Sequence, residues 1–180
     1  MKKLLLLLFL GFSIVGFSQN TAIPDSNFEQ ALIDLGLDTA PINGSVPTAN
    51  ISAVTSLVVD NNNIADLTGI EDFIALTYLN CRSNQLTSLD FSNNTALTYL
   101  NCSSNQLTSL DVSNNTALTS LNCYSNQLTS LDVSNNTALT GFNCYSNQLT
   151  SLDVSNNSAL IELRCYNNQL TSLDVSNNTA

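Results

Sequence analysis

Apolar and polar residues alternate in a fixed scheme along most of this chain. From Leu76 to Ala180 the sequence divides into five units of 21 residues, beginning at Leu76, Leu97, Leu118, Leu139 and Leu160. Each unit holds two half-units of matching pattern. The first runs Leu97-x-x-Leu100-x-Cys102-x-x-Asn105, the second Leu107-x-x-Leu110-x-Val112-x-x-Asn115. An apolar–x–apolar step is the period of a short strand with one buried face. The Ser and Asn residues that follow supply their own turn hydrogen bonds. Two short strands and two tight turns per unit are therefore predicted, with little room for helix. A period in this range is the signature of a solenoid, in which each unit buries its apolar edge against the next.

A more divergent unit, one residue longer, precedes these at 54–75, with Val54, Leu57, Val59, Asn62, Ile64, Leu67, Ile70 and Phe73 at the matching positions. Inward residues such as Leu97, Leu100, Cys102, Leu107, Leu110, Val112 and Ala117 are expected to stack on their equivalents one coil away. Adjacent coils then pair as parallel strands about 4.8 Å apart. Asn84, Asn105, Asn126, Asn147 and Asn168 are expected to form an inward ladder that satisfies backbone groups at the turns. Upstream, Ser26-x-x-Glu29 reads as a capping box. Phe28, Ala31, Leu32 and Leu35 fall on one helical face and Gly36 ends the run, so a helix over about 24–36 is predicted to cover the first coil. Residues 38–53, with Pro41, Gly44 and Pro47, read as a connecting loop within an N-terminal cap spanning 19–53. No C-terminal cap is visible in the pattern.

These motifs resemble the leucine-rich repeat family, whose pattern is L-x-x-L-x-L-x-x-N-x-L. The likeness is greatest to the 21-residue bacterial variety with a second L-D-V-S segment. It implies a leucine-rich repeat solenoid of the α/β horseshoe class, made mostly of short parallel strands and turns, with a short helical N-terminal cap. With the IPDSNFEQALIDLGLD segment and the N-terminus described next, the whole resembles secreted repeat proteins of the Bacteroidota. In that family the concave strand face usually binds partners.

The first residues change the picture of location. Met1-Lys2-Lys3 is a positive start, Leu4 to Val15 is almost unbrokenly apolar, and Gly16-Phe17-Ser18 offers small residues before a cut at Gln19. That is the layout of a secretory signal peptide over 1–18, and the run is shorter than the roughly 20 apolar residues of a span. The first cysteine is Cys81, so a bacterial lipid anchor has no cysteine at the cut. A secreted or cell-surface location follows. Beyond the cut, Arg82 and Arg164 face fourteen acidic residues, a net charge of −12. Nucleic acid and anionic membrane are poor partners for such a chain, because phosphate affinity comes from Lys and Arg.

Little in the sequence supports catalysis. There is no His, no Lys beyond the leader and no Gly-rich loop, and the carboxylates recur only as ladders. The chain is therefore predicted not to be an enzyme and to need no cofactor or metal. Cys81, Cys102, Cys123, Cys144 and Cys165 occupy the inward strand position, where parallel Cβ vectors suit buried thiols better than disulfides. Asp90, Asp111, Asp132, Asp153 and Asp174 form an outward ladder. Calcium would suit stacked carboxylates, but turn capping explains them sufficiently. The Asn-x-Ser/Thr sequons fall out of the repeat itself.

The informative signal is where the units differ. The outward triplet of the second half-unit is Ser-Asp-Ser throughout, as in Ser88-Asp90-Ser92. That of the first varies: Tyr78-Asn80-Arg82, Tyr99-Asn101-Ser103, Ser120-Asn122-Tyr124, Gly141-Asn143-Tyr145 and Glu162-Arg164-Tyr166. All five tyrosines and both arginines beyond the leader lie there, and such residues suit adaptable recognition surfaces. The candidate binding residues are Tyr78, Asn80, Arg82, Tyr99, Asn101, Asn122, Tyr124, Asn143, Tyr145, Arg164 and Tyr166. A protein or peptide ligand is the leading expectation. Carbohydrate binding or adhesion, a structural spacer in a larger secreted protein, and an ice-binding column at Thr87, Thr108, Thr129, Thr150 and Thr171 are the alternatives.

Overall fold

A computed structural model describes residues 19–180; the leader expected at 1–18 lies outside the described residues. Six short strands, β3 (Ser56–Val58), β4 (Tyr78–Asn80), β5 (Tyr99–Asn101), β6 (Ser120–Asn122), β7 (Gly141–Asn143) and β8 (Glu162–Arg164), form one parallel sheet in sequence order. Before them come β1 (Asn20–Ala22), helix α1 (Ser26–Asp34), β2 (Ser45–Pro47) and helix α2 (Thr48–Ile51). The register is constant, so Tyr78, Tyr99, Ser120, Gly141 and Glu162 fall in one column. The chain is a parallel-strand solenoid with little helix, as the leucine-rich-repeat resemblance implied.

The repeated Leu, Cys and Val positions explain the stack. Leu97, Leu100, Cys102, Leu107 and Val112 are fully buried, as are their counterparts in the next two coils. Removing such a side chain from water is worth about 1.5–3 kcal/mol each, and one apolar spine therefore runs the length of the array. After each strand the chain turns through a left-handed residue: Ser83, Ser104, Ser125, Ser146 and Asn167 all have φ near 55°. That conformation costs a non-glycine residue about 1 kcal/mol, and the asparagine after it holds the turn in place.

That asparagine ladder is as expected. Asn126 Oδ1 accepts from Leu107 N–H at 3.0 Å, while its Nδ2 donates to the Cys102 and Cys123 carbonyls at 3.1 and 3.0 Å. One amide thus ties its own turn to the preceding coil. A second ladder, which the sequence reading did not name, stands at Asn94, Asn115, Asn136, Asn157 and Asn178. Asn115 Nδ2 donates to the Phe91 and Asn94 carbonyls at 3.1 and 3.0 Å, and the residue is fully buried.

Four expectations are corrected. Each coil has one strand, not two. In the second half-unit the Asp111 carboxylate takes the Ser113 N–H at 2.9 Å, and the Asn115 side chain spans to the preceding coil. No backbone hydrogen bond links coils between residues 108 and 113. Asp25, not Ser26, caps α1. Its Oδ1 accepts from Asn27 and Phe28 N–H, and its Oδ2 from Ala65 and Asp66 N–H of the first coil. Burial raises the Asp25 pKa, but these four N–H groups outweigh it and hold the carboxyl below its ordinary value. Glu29 makes no box; it is fully buried and accepts from Asn43 and Gly44 N–H at 2.6 and 2.8 Å. Finally, Leu35 is 48% exposed, so the buried face of α1 is Phe28, Ala31 and Leu32. The segment read as a loop contains β2 and α2, and β2 pairs antiparallel with β1. Strands of three residues are too short to declare themselves by alternation.

Candidate binding face

The solvent side of the parallel sheet presents three columns. The first is Tyr78, Tyr99, Ser120, Gly141 and Glu162; the second Asn80, Asn101, Asn122, Asn143 and Arg164; the third Arg82, Ser103, Tyr124, Tyr145 and Tyr166. All eleven candidate residues therefore share one surface. The alternation of the strands sends Leu79, Leu100, Leu121 and Phe142 to the core between them.

The tyrosines form two stacks. Tyr78 and Tyr99 lie with ring centroids 4.3 Å apart and planes 5° from parallel. Tyr124, Tyr145 and Tyr166 stack at 4.4 and 4.6 Å on the opposite edge of the sheet. Strand spacing of about 4.8 Å matches ring thickness, so equal offsets in adjacent coils force stacking. Ring faces between neighbours are covered, while the end rings keep one face open, that of Tyr99 toward Ser120 among them. Burial and neighbouring phenols push Tyr99 and Tyr145 above the usual tyrosine pKa.

Between the stacks the asparagines bond along the column. Asn143 Nδ2 donates to Asn122 Oδ1 at 2.7 Å, and Asn101 Oδ1 accepts from Ser103 Oγ at 2.6 Å. Arg164 pairs with Glu162 on this face: its Nε lies 2.6 Å from Glu162 Oε1, and both side chains stay exposed. Arg82 is exposed and makes no salt bridge among the described residues.

The aspartate column lies elsewhere, along grooves between the coils of the second half-unit. One, of about 440 Å³, is lined by Asp66, Glu71 and Asp90; another, of about 290 Å³, by Asp90 and Asp111. Each aspartate is committed to its own turn. Asp90 accepts from Ser92 N–H at 3.0 Å and Asp132 from Ser134 N–H at 2.8 Å, and these bonds lower both pKa values. Among the described residues no group of three or more His, Cys, Asp or Glu is arranged to hold a metal ion. The melting temperature is expected to be the same in millimolar calcium and in millimolar magnesium. A rise specific to calcium would make the column a metal site.

The cysteines stand in the core. Cys81, Cys102, Cys123 and Cys144 are buried free thiols and Cys165 is half-buried. Cys81 Sγ donates to the Asn101 carbonyl one coil on at 3.5 Å, and Cys102 to that of Asn122 at 3.7 Å. Burial pushes the Cys102 and Cys144 thiols up to about 12. Thiolate is the reactive form, so native alkylation is expected to modify Cys165 first and the other four only after denaturation. Disulfide-linked peptides between neighbouring units would contradict this.

Comparison with known proteins agrees with the geometry. Residues 95–137 match the family described as Leucine Rich repeats (2 copies), and residues 144–168 match the LVIVD repeat. The chain is similar to Internalin J of Listeria monocytogenes serotype 4b (strain F2365), 45% identical over 78 residues, 43% of this chain and 8% of that protein. Among solved structures it is similar to the functional domain of InlJ from Listeria monocytogenes, which includes a cysteine ladder. That likeness has 34% identity and a TM-score of 0.57, covering 89% of this chain and 46% of that one. A Leptospira interrogans leucine-rich-repeat protein, LIC12759, matches at 31% identity with a TM-score of 0.56, covering 59% of this chain and 29% of that one. The chain thus spans less than half the length of these relatives. The similarity supports a bacterial leucine-rich-repeat protein, and the internalin-like relatives are themselves non-catalytic binding proteins. No described helix is long and apolar enough to cross a membrane.

Proposed function

We propose that this chain is an extracellular or cell-surface recognition module that binds a protein or peptide through its strand face, concave in proteins of this kind. A secreted bacterial origin of the Bacteroidota type fits the leader and the repeat pattern. The observation that carries the reading is the uneven divergence of the two exposed half-units. Both were copied together, yet Ser-Asp-Ser repeats unchanged on one while Tyr, Arg, Glu, Ser and Gly exchange on the other. Turn hydrogen bonds hold the aspartate of the constant triplet, while the strand face has varied and gathered every tyrosine and arginine beyond the leader. Tyrosine edges, hydroxyls and asparagine amides give a surface with many hydrogen-bonding groups and rigid aromatic area, the mixture used by adaptable binding surfaces.

Parallel peptide and glycan arrays probed with the purified protein test it. Binding to peptides with silent glycans is the expected result. Binding to glycans alone would replace it with the carbohydrate reading, and silence on both with the spacer reading.

A further inference from the structure

The first column of the strand face is interrupted. Tyr78 and Tyr99 stack face to face, but the next two positions are Ser120 and Gly141, and the column closes at Glu162, which Arg164 holds. Three strand spacings separate Tyr99 from Glu162, about 14 Å along the sheet. Two of the three steps have almost no side chain standing on them.

Gly141 has no conformational reason to be glycine, because its φ is outside the left-handed region. It has no packing reason either. A Cβ built there would meet only Ser120 Oγ, at 3.8 Å, which is ordinary contact. The space above it is open. On the far edge of the same two strands stand Tyr124 and Tyr145, so the opening is bounded by Tyr99 at one end, Glu162 at the other and the asparagine column along its side.

Charge selects what would lie here. The described chain carries fourteen carboxylates and two arginines, and both arginines are on this face. Arg164 is neutralised by Glu162, while Arg82 is exposed without a salt bridge among the described residues. Arg82 stands at the head of the third column, the column that carries Tyr124, Tyr145 and Tyr166. An approaching acidic segment is repelled by most of the molecule and attracted only at this patch.

We propose that the Ser120–Gly141 notch receives one aromatic side chain of an extended, acidic partner segment, its ring continuing the Tyr78–Tyr99 stack while a nearby carboxylate meets Arg82. This deepens the strand-face reading and rests on it. Ring on ring at the observed spacing is a favourable offset-stacking contact, and a bound ring would cover the outer face of Tyr99 as Tyr78 covers the inner one. An extended chain advances about 3.3 Å per residue, so an acid three to five residues from the ring reaches the Arg82 side of the sheet.

A phage-displayed library of twelve-residue peptides (an order-of-length choice, about 40 Å when extended), panned on the full described chain, tests the notch. The expected result is enrichment of peptides pairing Phe, Tyr or Trp with Asp or Glu a few residues away. Ser120→Tyr fills the notch with the chain's own ring, a residue this column already tolerates at Tyr78 and Tyr99. It should keep the parent's melting temperature and weaken the enriched peptides at least about tenfold. Asp132→Asn, on the second half-unit and away from the strand face, should bind as the parent does. Arg82→Gln should weaken binding and flatten its salt dependence. Peptides that bind Ser120→Tyr as tightly as the parent, yet lose binding to a strand face stripped of Tyr124, Tyr145 and Tyr166, would overturn the notch and leave the face. Enrichment without aromatic residues would also overturn it. Enriched peptides indifferent to both sets of changes, or no enrichment on the parent protein at all, would overturn notch and face together.

Discussion

Asn126→Ala is expected to cost about 3–5 kcal/mol, more than truncating any single leucine of the same coil to a shorter aliphatic. The alanine removes one acceptor and one donor group at once. It leaves the buried Leu107 N–H with no partner and takes one of two asparagine donors from each of the Cys102 and Cys123 carbonyls, which keep Asn105 and Asn147. An orphaned buried N–H costs about 1–3 kcal/mol, and each of the two lost amide–carbonyl bonds about 1 kcal/mol more. The turn also carries Ser125 at φ 54°, a conformation held by the ladder and not by its own preference. Against a total stability of about 5–15 kcal/mol, the loss removes much of the margin. In a solenoid the damage is local in origin but shared, because each coil is held only by its neighbours. Asn168→Ala is the comparison: it makes the same bonds in the last coil but is half-exposed, so water replaces part of what is lost and the cost falls below that of Asn126→Ala. Urea unfolding monitored by far-ultraviolet circular dichroism measures both. A change under about 1 kcal/mol for Asn126→Ala would mean the ladder is a consequence of the fold and not a support of it.

The same ladder shows what was legible beforehand. Period, inward positions and the first asparagine column followed from spacing, because a 21-residue repeat leaves one register in which all leucines face inward together. The second column, at Asn115 and its equivalents, was equally present: Leu107-x-x-Leu110-x-Val112-x-x-Asn115 copies the first half-unit residue for residue. It was overlooked because Ser-Asn-Asn-Thr reads as solvent-facing turn, and composition hid a residue that is fully buried. The same likeness misled in the other direction. Equal patterns suggested equal strands, but Asp111 captures the Ser113 N–H for its own turn, and a side-chain carboxylate two residues away competes well with a distant carbonyl. The cap was least legible. Asp25 grips both α1 and the first coil, and contacts across forty residues of sequence leave no local trace.

For the strand face, residue identity was readable and arrangement was not. Variation marked the surface, yet the stacking of Tyr124 on Tyr145, the Glu162–Arg164 pair and the open space beside Gly141 each depend on which offsets coincide in adjacent coils. The register that makes equal offsets adjacent is a property of the whole sheet. Once it is known, a column written down the units reads directly as a surface.

Replacing Tyr124, Tyr145 and Tyr166 together by Ser is expected to abolish partner binding while the chain stays folded. The three rings present a row of edges and hydroxyls about 9 Å long, from centroid steps of 4.4 and 4.6 Å. An aromatic anchor at a well-packed interface is worth about 2 kcal/mol or more, so losing even two of the three lowers affinity by at least about a hundredfold. The change also removes two stacked pairs, each worth about 0.5–1.5 kcal/mol, and a modest fall in stability comes with it. The inward Leu, Cys, Val and Asn positions are untouched, so the loss is of surface and not of core. Single replacements should grade: Tyr145, stacked on both sides, is the most rigid ring, and Tyr166, 56% exposed, the least. Asp132→Asn on the second half-unit is the control, since an amide oxygen still accepts from Ser134 N–H and the strand face is unaltered. Binding of one array-selected peptide, measured by calorimetry on proteins whose melting curves remain cooperative, decides the matter. If the triple variant binds that peptide as the parent does, recognition runs through another surface, and the inter-coil grooves of the aspartate column are the next to be mutated.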